Sequence, residues 1–186
     1  MTARPASPPD VPAAARVLAA AFADYPWTRW TVPADDHERR LEELQELYLA
    51  HALEVGVVLV DDAPEVRAVV ALLPPDAPEP APAVQERVVA LHGDRLAVLA
   101  DVALPPAPDD AWTLATLGVH PDHRGARLGT ALTEAGLAAA AERGATSVAL
   151  ETSDERNVRL YERLGFAVTA RTELADGPVV WSMTRA

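Results

Sequence analysis

The sequence predicts a mixed α/β (α+β) fold built on a sheet of six or seven strands. Two observations predict it. Between residues 111 and 151 an apolar run, a loop with glycines and arginines, an alanine-rich run with helical spacing and a second apolar run follow one another, which is the order of a βαβ unit. On both sides of this unit, apolar runs are separated by short turn sequences, a pattern typical of hairpins.

The N-terminal part is predicted as strand, helix, loop and helix. Asp10 is a suitable N-cap for the first helix, and Pro26 stops it, because proline disfavours helix in the residue before it. Asp35 or Asp36 caps the second helix, whose outer face is acidic and is predicted to be solvated. The predicted elements are a short edge strand over 2–6 and helices over 10–24 and 35–55.

The segment between these helices, Tyr25 to Trp30, is predicted to be a loop. It carries three aromatic residues within six positions, namely Tyr25, Trp27 and Trp30. Two interpretations stay open: the loop forms a lid over the core, or it lines a pocket for a flat or aromatic substrate.

Turn and breaker residues delimit the remaining elements. Asp61 to Pro64 separates two apolar strands, five prolines between 74 and 82 predict a loop, and His92 to Asp94 interrupts a broadly helical stretch. Gly144 ends the helix of the βαβ unit, and Asp176 to Pro178 closes a final hairpin. The predicted elements are strands 56–60 and 66–73, helical residues 83–103, strand 112–119, helix 128–143, strand 147–151, helix 157–164, and strands 166–174 and 179–184.

Composition narrows the possible functions. The 186 residues fit a single domain, 1–186, with one large core. Cysteine is absent, which excludes disulfides and a cysteine nucleophile, and no metal is expected. A formal net charge of −12 argues against nucleic-acid binding, which needs a basic face. The N-terminus does not have the pattern of a signal peptide and no apolar run has the length of a membrane span, so a cytoplasmic protein without a membrane partner is expected.

The loop of the βαβ unit suits an anionic ligand. Arg124, Gly125 and Gly129 lie where the loop becomes a helix, so backbone N–H groups of the first turn can face a phosphate. Two common nucleotide motifs are excluded. A Walker loop needs a lysine, which this chain lacks, and the spacing of Gly125 and Gly129 does not match G-x-G-x-x-G.

Two stretches resemble the cofactor motifs of the GNAT acetyltransferase superfamily. Arg124 to Gly129 resembles its pyrophosphate loop, Arg/Gln-x-x-Gly-x-Gly/Ala, and departs from it at Arg127, where the family more often has glycine. Leu150 to Ser153 followed by Asn157 to Phe166 resembles its second motif. The resemblance implies a GNAT-like, mostly antiparallel sheet flanked by helices, acetyl-CoA (coenzyme A) as cofactor, and transfer of the acetyl group to an amine.

The resemblance also implies roles for individual residues. It places the pantetheine arm of the cofactor on the backbone of the strand before the loop and the pyrophosphate on the N–H groups of the loop itself. Asn157 contacts the cofactor, and Tyr161, one helical turn further on the same face, is the candidate general acid for the departing thiolate. The implied cofactor-binding residues are Leu117, Gly118, Val119, Arg124, Gly125, Ala126, Arg127, Leu128, Gly129, Thr130 and Asn157.

The acceptor amine and the general base are less constrained. Many GNAT members place a glutamate on the strand before the loop, but residues 112–119 contain no carboxylate, so Glu151 is the candidate base. A water relay, no dedicated base, or a purely structural role for Glu151 are the alternatives. Because an α-amine titrates at a pKa of about 7.7 to 8.0, such an acceptor needs less help from a base than a lysine side chain does.

Outside the cofactor motifs the chain is similar to the puromycin N-acetyltransferases of this superfamily. The similarity includes Ala20 to Pro26, Glu43 to Leu47 and Trp181 with Met183 to Arg185. It implies a small-molecule amine as the partner, puromycin or a similar amino-nucleoside antibiotic, with Tyr25, Trp27 and Trp30 as candidate substrate-binding residues in a monomer or homodimer. Two alternatives stay open: an acetyltransferase for another amine, such as an amino-acid amide, a polyamine or a protein N-terminus, and a non-catalytic acyl-CoA-binding protein.

Overall fold

A single sheet of seven strands runs through the structure, a computed structural model that describes residues 3–100 and 102–186. The strands are β1 (Ala3–Pro5), β2 (Val57–Asp61), β3 (Ala68–Leu73), β4 (Trp112–Val119), β5 (Val148–Thr152), β6 (Ala167–Glu173) and β7 (Val179–Arg185). Their order across the sheet is β1-β2-β3-β4-β5-β7-β6, and every neighbouring pair is antiparallel except β4 and β5. The predicted fold class, a mostly antiparallel sheet with a central βαβ unit, is confirmed.

Seven helices flank this sheet in the described residues. They are α1 (Val11–Phe22), α2 (Pro26–Thr31), α3 (His37–Val55), α4 (Pro82–His92), α5 (Leu96–Ala100), α6 (Leu128–Glu142) and α7 (Glu155–Arg163). None of them combines the length and the apolar character needed to cross a membrane. Two residues of the predicted elements lie outside the described residues: Thr2 of the first strand and Asp101 of the helical stretch 83–103.

The central strands are buried on both faces because helices cover both. Val69 and Ala71 of β3 belong to a cluster with α1 and α3, whereas the alternate residues Val70 and Leu72 belong to a cluster with α6. Successive side chains of a strand point to opposite faces of the sheet, which explains this alternation. Gly136 lets α6 approach closely, since a Cβ there would lie 2.7 Å from Leu72 Cδ1.

The central parallel pair separates soon after it forms. Strands β4 and β5 are paired only at Trp112–Val148 and Thr113–Ala149, although β4 continues to Val119 on the side of β3. A register shift in the β3–β4 ladder lies next to the point of separation, where Ala71 pairs with Thr116 and Leu72 with Leu114. Such a bulge bends a strand and increases its twist. The sheet is therefore open between the later residues of β4 and β5.

One predicted element was wrong. The segment 25–30 was predicted as a loop, but Pro26–Thr31 forms the short helix α2. Proline at the first helical position has a suitable φ and lacks an N–H that would have no partner there. The hydroxyl of Thr28 donates to the carbonyls of Phe22 and Tyr25, at 2.5 and 3.0 Å, and so fixes α2 against the end of α1.

Candidate active site

The loop between β4 and α6 leaves the first turn of α6 without side-chain caps. Residues 121–127 are exposed, and the first hydrogen bond into the helix runs from the Ala131 N–H to the Arg127 carbonyl at 3.1 Å. The N–H groups of 128–130 therefore have no helical acceptor, as at any uncapped helix N-terminus. This geometry suits a phosphate group.

Glycine suits positions 125 and 129 of this loop for different physical reasons. Gly125 has a φ of +83°, a left-handed conformation that glycine adopts without strain. A Cβ on Gly129 would make only ordinary contacts, the nearest at 3.6 Å to Val119 Cγ2, so packing inside the protein does not require glycine there. The small residue instead keeps the front of the first helical turn open to a ligand.

Arg127 and Arg124 hold the loop in shape. Arg127 has a φ of +57°, which explains why a glycine suits this position in the family motif. The Arg124 guanidinium donates to the carbonyl of Ala21 at 3.3 Å and so ties the loop to the end of α1. Gly118, a predicted cofactor-binding residue, lies under the same helix, since a Cβ there would be 2.5 Å from Leu18 Cδ2.

A hydrogen-bond network connects α2 to the end of β5 and the start of α7. The Tyr25 hydroxyl lies 2.9 Å from Thr152 Oγ1 and accepts from the Ser153 N–H at 2.7 Å. The Asn157 amide donates to the same threonine oxygen at 3.3 Å, and the Trp27 N–H donates to Ser153 Oγ at 3.1 Å. Tyr25, Trp27 and Asn157, which the sequence predicts as site residues, thus meet at one end of β5.

Tyr161 lies on α7 beside this network. Its side chain is 6% exposed and packs edge-on against Phe166, with the ring centroids 5.7 Å apart. No residue in the described part of the chain hydrogen-bonds to its hydroxyl. Burial raises the pKa of this hydroxyl, and the nearby Tyr25 raises it further. Tyr161 therefore stays protonated at neutral pH and can act as a proton donor.

A cavity of about 1060 Å³ extends from the gap between β4 and β5 to helices α2 and α3. It is lined by Tyr25, Trp27, Leu117, Glu151, Asn157 and Tyr161 among the predicted site residues. The other predicted cofactor-binding residues, Gly118, Val119 and 124–130, lie on or beyond the end of β4, outside this lining. The cavity thus reaches β4 at Leu117, and the loop follows the end of the same strand.

Trp30, the third aromatic residue predicted to bind the substrate, lies apart from the cavity. Trp30 packs edge-on against Trp27, with ring centroids 5.6 Å apart, and does not line the cavity. It lies instead against the β6–β7 turn, where a Cβ on Gly177 would be 2.8 Å from its indole ring. Residues three positions apart in a helix are neighbours on its surface, which is why the two indole rings touch, and Trp30 lies on the side toward the β6–β7 turn.

Glu151 is the only carboxylate among the described residues that line the cavity, and no arginine lines it. The glutamate is accessible from the cavity, but its partial burial raises the pKa of the carboxyl group. Its cross-strand partner on β7 is Ser182, whose hydroxyl is enclosed without a hydrogen-bond partner. The described residues contain no cluster of side chains that could hold a metal ion.

Sequence reasoning missed several polar residues of the cavity, among them His51, His92 and Ser182. His92 is the last residue of α4, and its Nδ1 lies 2.7 Å from the Thr31 carbonyl. No sequence motif marks these positions, because three separate elements bring them to the cavity.

Comparison with known proteins identifies this arrangement. Residues 19–166 match the model of the acetyltransferase (GNAT) family. A crystal structure of a histone acetyltransferase and related acetyltransferase from Corynebacterium glutamicum is 28% identical, with a TM-score of 0.78 over 99% of this chain and 94% of that one. A ribosomal-protein-alanine N-acetyltransferase from Brucella melitensis is 16% identical, with a TM-score of 0.61 over 100% and 99% of the two chains.

A third similar structure, yncA of Salmonella typhimurium, was solved with its cofactor acetyl-CoA. It is 19% identical, with a TM-score of 0.57 over 99% of this chain and 92% of that one. The chain belongs to the GNAT acetyltransferase family. It is an acetyl-CoA-dependent N-acetyltransferase, and its acceptor is an amine.

Replacing Tyr25 by phenylalanine tests the network at the end of β5. Tyr25→Phe removes the acceptor of the Ser153 N–H, so we expect the free energy of unfolding to fall by about 1–3 kcal/mol, the cost of an unpaired buried donor. Tyr48→Phe is the matched control, because the Tyr48 side chain is 42% exposed, and it should change stability by less than about 0.5 kcal/mol. Denaturant unfolding measures the stability of both variants. A Tyr25→Phe variant as stable as the wild type would contradict the role assigned to the Tyr25 hydroxyl.

Proposed function

We propose that the acceptor is a small amine with flat aromatic groups and no acidic group beside the amine, and that puromycin or a similar amino-nucleoside is the first substrate to test. The observation that carries this proposal is the lining of the cavity. Tyr25, Trp27 and Tyr48 supply aromatic surface, and Glu151 supplies the only negative charge in the described lining. Aromatic side chains of this kind favour flat ligands.

The residues that line the cavity favour an acceptor that carries a cationic amine and no anionic group. Since no arginine lines the cavity in the described residues, an acceptor carboxylate or phosphate would lose its hydration without a cationic partner. An ammonium group instead approaches Glu151, and the formal net charge of −12 favours the approach of cations in general. These charges favour an amino-acid amide such as the aminoacyl group of puromycin over a free amino acid.

On the cofactor side, backbone groups make the proposed contacts. The N–H groups of Arg124 to Thr130 receive the pyrophosphate at the uncapped start of α6, and the unpaired edge of β4 at Leu117 to Val119 receives the amide groups of the pantetheine arm. Asn157 lies next to this path, with its amide nitrogen fixed by Thr152. The cofactor thus supplies its thioester at the gap, where Asn157 and Tyr161 line the cavity.

The proposed chemistry is direct transfer. Glu151 accepts a proton from the ammonium group, and the free amine attacks the acetyl carbonyl. The carbon–sulfur bond breaks as the carbon–nitrogen bond forms, and Tyr161 donates a proton to the departing sulfur. Tyr161 regains its proton from the nitrogen, which loses its second proton on becoming an amide. The position of a protonated tyrosine on the cavity wall also argues against a non-catalytic acyl-CoA-binding protein.

The Tyr161→Phe variant tests the proton donor. We expect kcat to fall by about 10²- to 10⁴-fold, the usual loss for a general acid, while the affinity for acetyl-CoA changes little. Steady-state release of coenzyme A and calorimetric titration with acetyl-CoA measure the two quantities. An unchanged kcat would assign proton donation to another group.

The Glu151→Gln variant tests the base. A base works only when deprotonated, and burial raises the pKa of Glu151, so kcat/KM of the wild type should rise with pH through a value above the ordinary glutamate range. Glutamine has nearly the same shape and does not titrate. We expect its kcat/KM to be about 10²-fold lower and to lack that part of the pH profile. A profile identical to that of the wild type would remove Glu151 from the mechanism.

The acceptor itself is tested with purified protein, acetyl-CoA and puromycin. We expect release of coenzyme A well above the rate in buffer and a product that is heavier by one acetyl group. O-methyltyrosine is the matched control, because it has the aromatic amino-acid part of puromycin but a free carboxylate, and it should react poorly. If puromycin is not turned over but a polyamine or a peptide N-terminus is, that amine replaces puromycin as the proposed acceptor.

A further inference from the structure

His92 presents a fixed hydrogen-bond acceptor to the cavity. It ends α4, is 7% exposed and lines the cavity wall. Its Nδ1 lies 2.7 Å from the carbonyl oxygen of Thr31, at the end of α2. A carbonyl oxygen only accepts hydrogen bonds, so Nδ1 must carry the proton. In the neutral ring the other nitrogen, Nε2, then holds a lone pair and can only accept.

The Nε2 atom of His92 is not enclosed by protein, and His92 is one of the residues that line the cavity. Within residues 3–100 and 102–186 this nitrogen has no hydrogen-bond partner, and it is not one of the enclosed unpartnered polar atoms. His37 shows the contrast. Its Nδ1 lies 3.2 Å from the Pro33 carbonyl, but its Nε2 is enclosed and the residue does not line the cavity. The two imidazoles are tethered in the same way, and only His92 faces the space for an acceptor.

Two threonine hydroxyls that also line the cavity are already engaged within the protein. The Thr28 hydroxyl donates to the carbonyls of Phe22 and Tyr25, and the Thr31 hydroxyl donates to the carbonyl of Trp27 at 2.9 Å. Their protons are used inside the protein. His92 Nε2 therefore differs from them, because it has a lone pair of fixed direction and no partner within the protein.

We propose that His92 is a specificity-determining residue, which accepts a hydrogen bond from a hydroxyl or N–H group of the acceptor other than the amine that is acetylated. The inference rests on the proposed function, since that group belongs to the acceptor in the cavity. An acceptor without it leaves a buried polar nitrogen unpaired, which a binding site penalises strongly. The acceptor class is therefore amines with a second donor group, such as amino-nucleosides, and not simple alkyl or arylalkyl amines.

The test compares His92→Asn with the wild type on puromycin and on analogues that each lack one hydroxyl or N–H group. Asparagine can keep a donor near the Thr31 carbonyl but has no nitrogen at the position of Nε2. For the wild type, removing the contacted group should lower kcat/KM by about tenfold or more, mainly through KM. In His92→Asn that preference should disappear, with KM for puromycin raised about tenfold and kcat nearly unchanged.

His37→Asn is the matched control and should keep the preference for the complete acceptor. Nitrogen NMR of histidine in the wild type at pH 8 is the second measurement, which does not depend on a variant that folds. It should show a ring proton of His92 on Nδ1 and an Nε2 resonance that shifts when the acceptor is added. A proton on Nε2, or a preference that persists in His92→Asn, would overturn the inference.

The failure of the substrate proposal is distinguishable from the failure of this one. If puromycin is not acetylated but another amine is, the amino-nucleoside proposal fails. The role of His92 is then decided by comparing the wild type with His92→Asn on that amine and on its analogue that lacks a second donor group. If the wild type prefers amines that have no second donor, the inference about His92 fails even where puromycin is a substrate. If no amine is acetylated, both proposals fail.

Discussion

The separation of β4 from β5 is the constraint on which the rest of the site depends. The two strands share only the pairs Trp112–Val148 and Thr113–Ala149, so beyond Thr113 the edge of β4 that faces β5 has no partner strand. Backbone N–H and C=O groups that leave water without a partner are costly. An open edge inside a sheet is therefore stable only if water or a ligand with its own amide groups occupies it. The pantetheine arm of acetyl-CoA carries such groups, so the gap suits the proposed path of the cofactor.

Each side of the gap is held by a different helix. On the β4 side, α1 packs so closely that only glycine fits at position 118, and Arg124 ties the following loop to the end of the same helix. On the β5 side, Tyr25 binds both the hydroxyl of Thr152 and the N–H of Ser153 and so fixes α2 over the strand end. Only residues 23–25 separate α1 from α2, so the helices that hold the two sides of the gap are consecutive in the chain.

The sequence predicts the local parts of this arrangement well. The order of strand, loop and helix around Arg124 to Gly129 and the shared face of Asn157 and Tyr161 follow from spacing alone, and the seven-stranded sheet agrees with the predicted range. The acceptor side is less predictable because distant residues form it. Tyr25 meets Thr152 across 127 positions, and His92 meets Thr31 across 61. Helix α2 was missed since six residues carry little periodic signal, and the position of Trp30 depends on Gly177 in the last turn.

The two halves of the site also use different parts of the chain for recognition. On the proposed cofactor side the groups in position are mostly backbone N–H and C=O, which every residue type except proline provides, so an arginine can stand at position 127 in place of the more usual glycine although its φ is positive. On the proposed acceptor side the groups are side chains: an aromatic wall, one carboxylate and two imidazoles, of which that of His92 is tethered by a carbonyl. A change of side chain there alters which amine fits without disturbing the cofactor. This division explains how a family defined by its cofactor loop can leave the acceptor to be determined by residues that no cofactor motif contains.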